Sequence, residues 1–174
     1  ITDTNERVVV SNGHISPAVY SVLAELDVIP KERVLTQFRR PSDLYEGHVN
    51  RRIQGIHFGT GPLGVGASVA SGMAMADVLQ NQDRLTFLVL GDGECQEGQV
   101  YEMLHFAAKY ALKNLIAFVD DNEVQLSDAI SKVMPLNLKA HFEAAGWHVQ
   151  EVNGHDFSAL WRALSAAAAD ERPS

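Results

Sequence analysis

An internal disulfide needs two cysteines, and this 174-residue chain has one, Cys95. Its fold therefore rests on no cross-link, and a reducing, cytoplasmic setting suits it. No apolar run approaches the length needed to span a bilayer, so no membrane helix is expected. Basic charge is also scarce: 14 Lys and Arg stand against 22 Asp and Glu, for a net charge of −8. With no basic cluster beyond Arg39-Arg40 and Arg51-Arg52, nucleic acid and anionic membranes are not expected as partners. Repeats and low-complexity linkers are absent too. The chain opens Ile-Thr-Asp-Thr-Asn, without an initiator methionine or signal-like stretch. What remains is 46% hydrophobic and 21% charged, as expected for one globular domain with a sizeable core over 1–174, which reads as a piece of a longer polypeptide.

Apolar runs and turn residues divide the chain. Val8–Val10 is a short β-branched run leading into Ser11-Asn12-Gly13-His14. Ser16 and Pro17 sit where an N-cap and first helical residue belong, and the helix stops before Pro30. A second short helix is predicted over Lys31–Phe38. The polar stretch Arg39–Gly59 is too long for a plain connector and reads as a functional loop. Thr60–Gly66 opens a helix that runs through Leu79, rich in Ala, Gly and Ser, which predicts deep burial against the sheet or another subunit. Gly64-x-Gly66 fails as a dinucleotide fingerprint, because Val69 takes the third glycine's place and no strand directly precedes it. Leu85–Leu90 and Leu115–Val119 read as buried strands around a helix at Val100–Leu112. A loop over Glu123–Met134, a helix over Asn137–Ala145 capped by Gly146, a strand over Trp147–Val152 and a helix over Phe157–Ala169 follow, with 170–174 frayed. The alternation predicts an α/β fold: a doubly wound, mostly parallel sheet with helices on both faces.

The chemistry gathers in Leu85–Asp128. Strand, helix and strand there form a βαβ unit, which closes right-handed with parallel strands. Ligands bind outside the carboxyl ends of such strands, where Gly91-Asp92-Gly93 and Asp120-Asp121-Asn122 lie. Glycines flanking Asp92 let the backbone approach a ligand, and the following helix offers free N–H groups to a phosphate. A carboxylate and an amide oxygen beside that anion would hold a hard cation such as Mg²⁺. Either element alone reads equally well as a turn. Both at adjacent strand ends point to a metal–diphosphate site.

GDG, 27 residues and then Asp121-Asn122 resembles the thiamine diphosphate motif, and GDGECQEG…LIAFVDDN resembles the cofactor-binding domain of transketolases. Ser11-Asn12-Gly13-His14-x-Ser16-Pro17 is similar to that family's SKGH-x-SP, with Asn12 for lysine. Gly47-His48 resembles its GHP, with Val49 for proline. Thr60–Gly64 matches its TGPLG, and Gly146-Trp147 and Gly154-His155-Asp156 match later landmarks. The likeness covers nearly the whole chain.

The resemblance implies thiamine diphosphate and Mg²⁺ (or Ca²⁺ or Mn²⁺) as cofactors. Asp92, Asn122 and the carbonyl of Val124 would coordinate the metal, and Gly93 would offer its N–H to the diphosphate. Gly61 and Leu63 would line the cofactor, with Leu126 packed on its rings. His14 and His48 would bind substrate oxygens and move protons, and Glu97 would link two active sites of a dimer. For these last three a surface turn (His14, His48) or a helix-dipole role (Glu97) is the alternative. Cys95 is read as incidental, although its turn favours a thiolate. The implied activity is transfer of a two-carbon ketol unit from a ketose phosphate to an aldose phosphate. A pyrimidine-binding domain, in the same polypeptide or a separate subunit, would complete the site in a homodimer or heterotetramer. The alternatives are another thiamine diphosphate enzyme, of 2-oxo acid dehydrogenase or deoxyxylulose-phosphate synthase type, and a non-catalytic assembly subunit.

Overall fold

A computed structural model of the chain describes residues 6–41 and 44–174. Ile1–Asn5 and residues 42–43 of the predicted functional loop lie outside the described residues. Four strands, β1 (Arg7–Val10), β2 (Phe58–Gly59), β3 (Thr86–Gly91) and β4 (Leu115–Asp120), form a wholly parallel sheet in the order β2-β1-β3-β4. Val9 pairs with Leu88 and Gly91 with Asp120. Because successive side chains in a strand point to opposite faces, the two sides of the sheet sort cleanly. Val9, Leu88 and Leu90 join one core cluster with Ala67, Ala70 and Ala74 of α3 (Val65–Leu79) and Val100, Met103 and Leu104 of α4 (Gly98–Lys109). Val10 belongs to the other cluster, with Tyr20, Leu23 and Ala24 of α1 (Ser16–Glu25). Helices therefore cover both faces, as the doubly wound pattern requires. α2 (Lys31–Gln37) packs beside α1 through Val34.

α3 is buried along one stripe only: Gly66, Ala67, Ala70, Ser71, Ala74 and Asp77 face inward. Ser68 and Gly72 face outward, so burial on all sides is not what this chain alone gives. Small inward residues let α3 approach the strands and α4 closely. At its far end Asp77, fully buried, accepts from Arg7 at 2.9 Å and faces Arg84 at 3.5 Å, tying the helix to β1. A Cβ added at Gly72 meets nothing within 4 Å. Gly72→Ala is therefore expected to stabilise the domain by about 0.5–1 kcal/mol by restricting the unfolded chain, read as a higher urea midpoint at unchanged slope.

After β4 the predicted 123–134 loop carries structure of its own, a two-stranded antiparallel ribbon, β5 (Val124–Gln125) with β6 (Asp128–Ala129), running into a one-turn α5 (Ile130–Val133). α6 (Leu138–Ala144) starts on Asn137, whose side chain accepts from the Ala140 N–H, and ends before Gly146 at φ 90°. α7 (Phe157–Ala169) is capped by Asp156 in the same way. Trp147 is 2% exposed; it donates its indole N–H to the Leu104 carbonyl at 3.0 Å and meets Phe142 edge-on.

Two expectations fail at this end of the sheet. Trp147–Val152 forms no strand, and 170–174 is not frayed. The Ser174 N–H donates to the Leu115 carbonyl at 3.2 Å, and the Ala117 N–H donates to Ser174 at 2.7 Å. Pro173, buried, accepts from the His148 N–H at 2.9 Å. Pro173 and Ser174 thus lie between β4 and His148. Residues 147–152 alternate like a strand, but a strand exists only where a ladder can form, and one bond to Pro173 is no ladder.

Candidate functional site

β1 is central, yet the chain goes first to β2 on one side of it and then returns to β3 on the other. That order puts a topological switch point between β1 and β3, the place outside the strand ends where ligands bind in such sheets. The segments around it are those singled out by sequence: 11–14 after β1, 60–64 after β2, 92–97 after β3 and 121–126 after β4.

The Asp92 N–H donates to the Asp120 carbonyl at 3.1 Å, which fixes the β3 exit against β4. The Asp92 side chain is 3% exposed. Its Oδ1 accepts from the Gly93 N–H at 2.7 Å, while Oδ2 is buried with no protein donor. A buried carboxylate oxygen left without a partner is costly, and a bound cation is one chemistry that satisfies it. The Gly93 N–H, expected to face a diphosphate, is engaged by Asp92 instead, and Gln125 closes over Gly93 with Cγ 3.2 Å from where a Cβ would sit. Asn12 Oδ1 and Gln125 Oε1 are also buried without partners. Asn12 was noted from sequence only as standing for lysine in the resembled motif, and Gln125 not at all, because nothing in their spacing distinguishes them from ordinary turn and strand residues.

At the neighbouring strand end Asn122 is exposed; its Nδ2 donates to Asp120 at 3.1 Å and its Oδ1 accepts from the Val124 N–H at 2.9 Å. Glu123 and Leu126 have φ 60° and 58°, a conformation that residues with a Cβ adopt at a cost. Leu126 is 95% exposed at the tip. The Asp121 carboxyl is held above its ordinary range, first by desolvation and then by Asp92 and the acidic neighbours Glu123 and Asp120. Excess negative charge with a buried unpaired oxygen is an arrangement that a divalent cation would relieve. Among the described residues no group of three or more His, Cys, Asp or Glu forms a metal cluster. A cation here would draw on Asp92, an amide oxygen, main-chain carbonyls and a bound anion.

Gly13 is wedged against the 60–64 segment: a Cβ there would lie 1.7 Å from the Thr60 carbonyl oxygen and 3.5 Å from the His48 ring. The Thr60 hydroxyl is shared between the carbonyls of Ser11 at 2.7 Å and Pro62 at 2.8 Å. Ser16 does not cap α1 as expected but is its first residue, donating its hydroxyl to Gly47 at 2.8 Å. Tyr20, its hydroxyl pKa raised to about 12 chiefly by burial, donates to His48 at 3.1 Å. The Val49 N–H donates to Gly13 at 3.1 Å, a bond proline could not make. Val49 thus anchors the His48 loop without the proline. His14 and His48, both exposed, are carried on segments that meet at Gly13.

Gly64 caps α3 at φ 78°, and a Cβ there would come within 2.9 Å of Glu97 Cβ. Glu97 is exposed and makes no side-chain cap on α4. Gly61 and Leu63 are exposed on the same loop. The fully buried Cys95 thiol has its pKa pushed well up by burial and then by Glu94, Asp92 and Asp121, so it is no thiolate. The residue sequence reasoning missed is Glu94, 2% exposed, which binds three of these segments together.

Residues 3–174 match the family model described as transketolase, thiamine diphosphate binding domain. The chain is 38% identical over 164 residues to the 6-deoxy-6-sulfo-D-fructose transketolase subunit of Clostridium sp. (strain MSTE9), covering 93% of this chain and 59% of that protein. It is 36% identical over 158 residues to one of the subunits of the apulose-4-phosphate transketolase of Phocaeicola vulgatus, covering 90% and 56%. The fold superposes on a transketolase from Campylobacter jejuni with TM-score 0.90 at 33% identity, over 97% of this chain and 28% of that one. The chain therefore spans somewhat over half the length of these subunits and somewhat over a quarter of the Campylobacter jejuni transketolase chain.

Proposed function

Since the chain belongs to the transketolase family, as its thiamine diphosphate binding domain, we propose that it supplies the metal–diphosphate half of an enzyme that moves a two-carbon ketol unit from a ketose phosphate to an aldose phosphate. The observation that carries this reading is the buried, unpartnered Oδ2 of Asp92 at the sheet's switch point. Asp92, Asn122 and the Val124 carbonyl would hold Mg²⁺, an oxygen donor set suited to a hard cation that keeps part of its shell for phosphate and water. Gly93 would offer its N–H to the diphosphate. Gly61 and Leu63 would line the cofactor, and the exposed Leu126 would gain a partner by packing on its rings. When bound, thiamine diphosphate supplies the carbanion chemistry that breaks and remakes the sugar carbon–carbon bond.

His14 and His48, both exposed and carried on segments that meet at Gly13, would bind sugar oxygens and exchange protons near neutral pH. Glu97, exposed at the start of α4, would join a carboxylate network across a dimer. The pyrimidine half would come from another domain or subunit; both relatives named as subunits support the second arrangement. Titration of the chain with thiamine diphosphate and Mg²⁺, followed by a ketol-transfer assay with the pyrimidine-binding half supplied, tests the reading. Metal-dependent binding and activity only in the presence of that half are expected. Metal-independent binding, or ketol transfer by this chain alone, would overturn it.

A further inference from the structure

We propose that Glu94 is the positioning residue that assembles the proposed cofactor site at the β1–β3 switch point, an inference that rests on the reading above. Its carboxylate is 2% exposed and lies among three segments distant in sequence. Oε1 accepts from the Ser11 hydroxyl at the end of β1 and from the Gly64 N–H at 2.7 Å, where α3 begins. Oε2 accepts from the Gly91 N–H at 3.2 Å, one residue before Asp92. The fully buried Ser11 hydroxyl in turn accepts from the Gly66 N–H at 3.1 Å. One acidic side chain thus fastens the β1 exit, the 60–64 loop and the Asp92 turn into one piece.

A carboxylate suits the place because it is acceptor-only, and all its neighbours here are donors. Glutamine has nearly the same shape but only one oxygen. In Glu94→Gln the amide NH₂ must face either the Gly91 N–H or the Gly64 N–H, donor against donor, and that segment is released. Aspartate is a methylene shorter and could not reach all three donors. Glu94 touches neither substrate nor the reacting atoms; it acts by holding the Gly61–Gly64 loop and Asp92 in register, so its loss falls on cofactor affinity rather than turnover.

The experiment uses the complete enzyme, with the pyrimidine-binding half present, and measures the thiamine diphosphate dissociation constant at saturating Mg²⁺. Wild type, Glu94→Gln and Ser11→Ala are compared, with kcat and sugar KM taken at saturating cofactor. Glu94→Gln is expected to weaken cofactor binding about 10- to 100-fold, the usual cost of losing a group that orients a ligand's holders. kcat and sugar KM should return to near wild-type values once cofactor saturates. Ser11→Ala should shift affinity in the same direction by less, and the double variant should fall short of the product of the two, because both act through one fastening. The Ser11→Ala shift supplies the same evidence if Glu94→Gln does not fold. Unchanged cofactor affinity in variants that only melt earlier would overturn the proposal, as would a fall in kcat that cofactor does not rescue. A wild-type enzyme that ignores the cofactor would instead overturn the functional reading, and this proposal with it.

Discussion

Asp92→Ala is expected to abolish metal-dependent binding of thiamine diphosphate while leaving the fold intact. Removing a group that merely orients a metal ligand costs roughly 10–100-fold in affinity, so loss of a ligand itself should exceed about 100-fold. The substitution removes a carboxylate whose one oxygen is buried and unpartnered and whose other holds only the neighbouring Gly93 N–H. Its backbone bond to Asp120 is untouched. The apo protein therefore loses a costly buried charge and no core contact, and its melting temperature should hold or rise. Calorimetric titration against Mg²⁺ and cofactor, beside a thermal melt of the apo form, checks both halves. Wild-type affinity in the variant would remove Asp92 from the metal site.

Gly13→Ala should damage fold and site together. The new methyl carbon would sit 1.7 Å from the Thr60 carbonyl oxygen and 2.9 Å from its carbon, and backbone cannot step aside as a flexible side chain can. Thr60 is itself held to Ser11, and Gly13 to Val49, so relief requires separating the 11–14, 47–49 and 60–64 segments. Overpacking in less constrained places costs about 1–3 kcal/mol; here the cost should reach or pass the upper figure, with the urea midpoint falling accordingly. Because His14 and His48 ride on two of the displaced segments, any folded fraction, assayed with the pyrimidine-binding half supplied, is expected to lose the proposed ketol transfer as well. A Gly13→Ala protein as stable as wild type would show that the Gly13 segment and Thr60 part at little cost.

The central βαβ unit was legible because its information is local: apolar runs of strand length, helical spacing between them, and glycines and acids where the strands end. Asp92 and Asn122 were placed at neighbouring strand ends for the same reason, and Gly91 opposite Asp120 bears that placement out. Glu94 was not legible. As a first-turn acid it resembles a dipole-complementing residue, and its true partners, Ser11 and Gly64, are 83 and 30 residues away. The engaged Gly93 N–H and the buried oxygens of Asn12 and Gln125 were hidden likewise, since they depend on packing rather than pattern. β2 is two residues long within a predicted loop, too brief to carry a period. Trp147–Val152 erred the other way, a strand-like pattern without a neighbour to pair with, while Pro173 and Ser174, polar enough to look frayed, found a place against β4.

That last contact leaves one side of β4 only started. Pro173 and Ser174 reach Leu115 and Ala117, whereas Phe118, Val119 and Asp121 line an open cleft of about 570 Å³ with Val149, Gln150 and Leu164. Part-covered parallel edges of this kind recruit extended peptide from whatever is at hand, including other copies of the same chain. For this domain taken by itself, self-association along β4 is accordingly the expected behaviour on concentration, read as a sedimentation coefficient that rises across a dilution series.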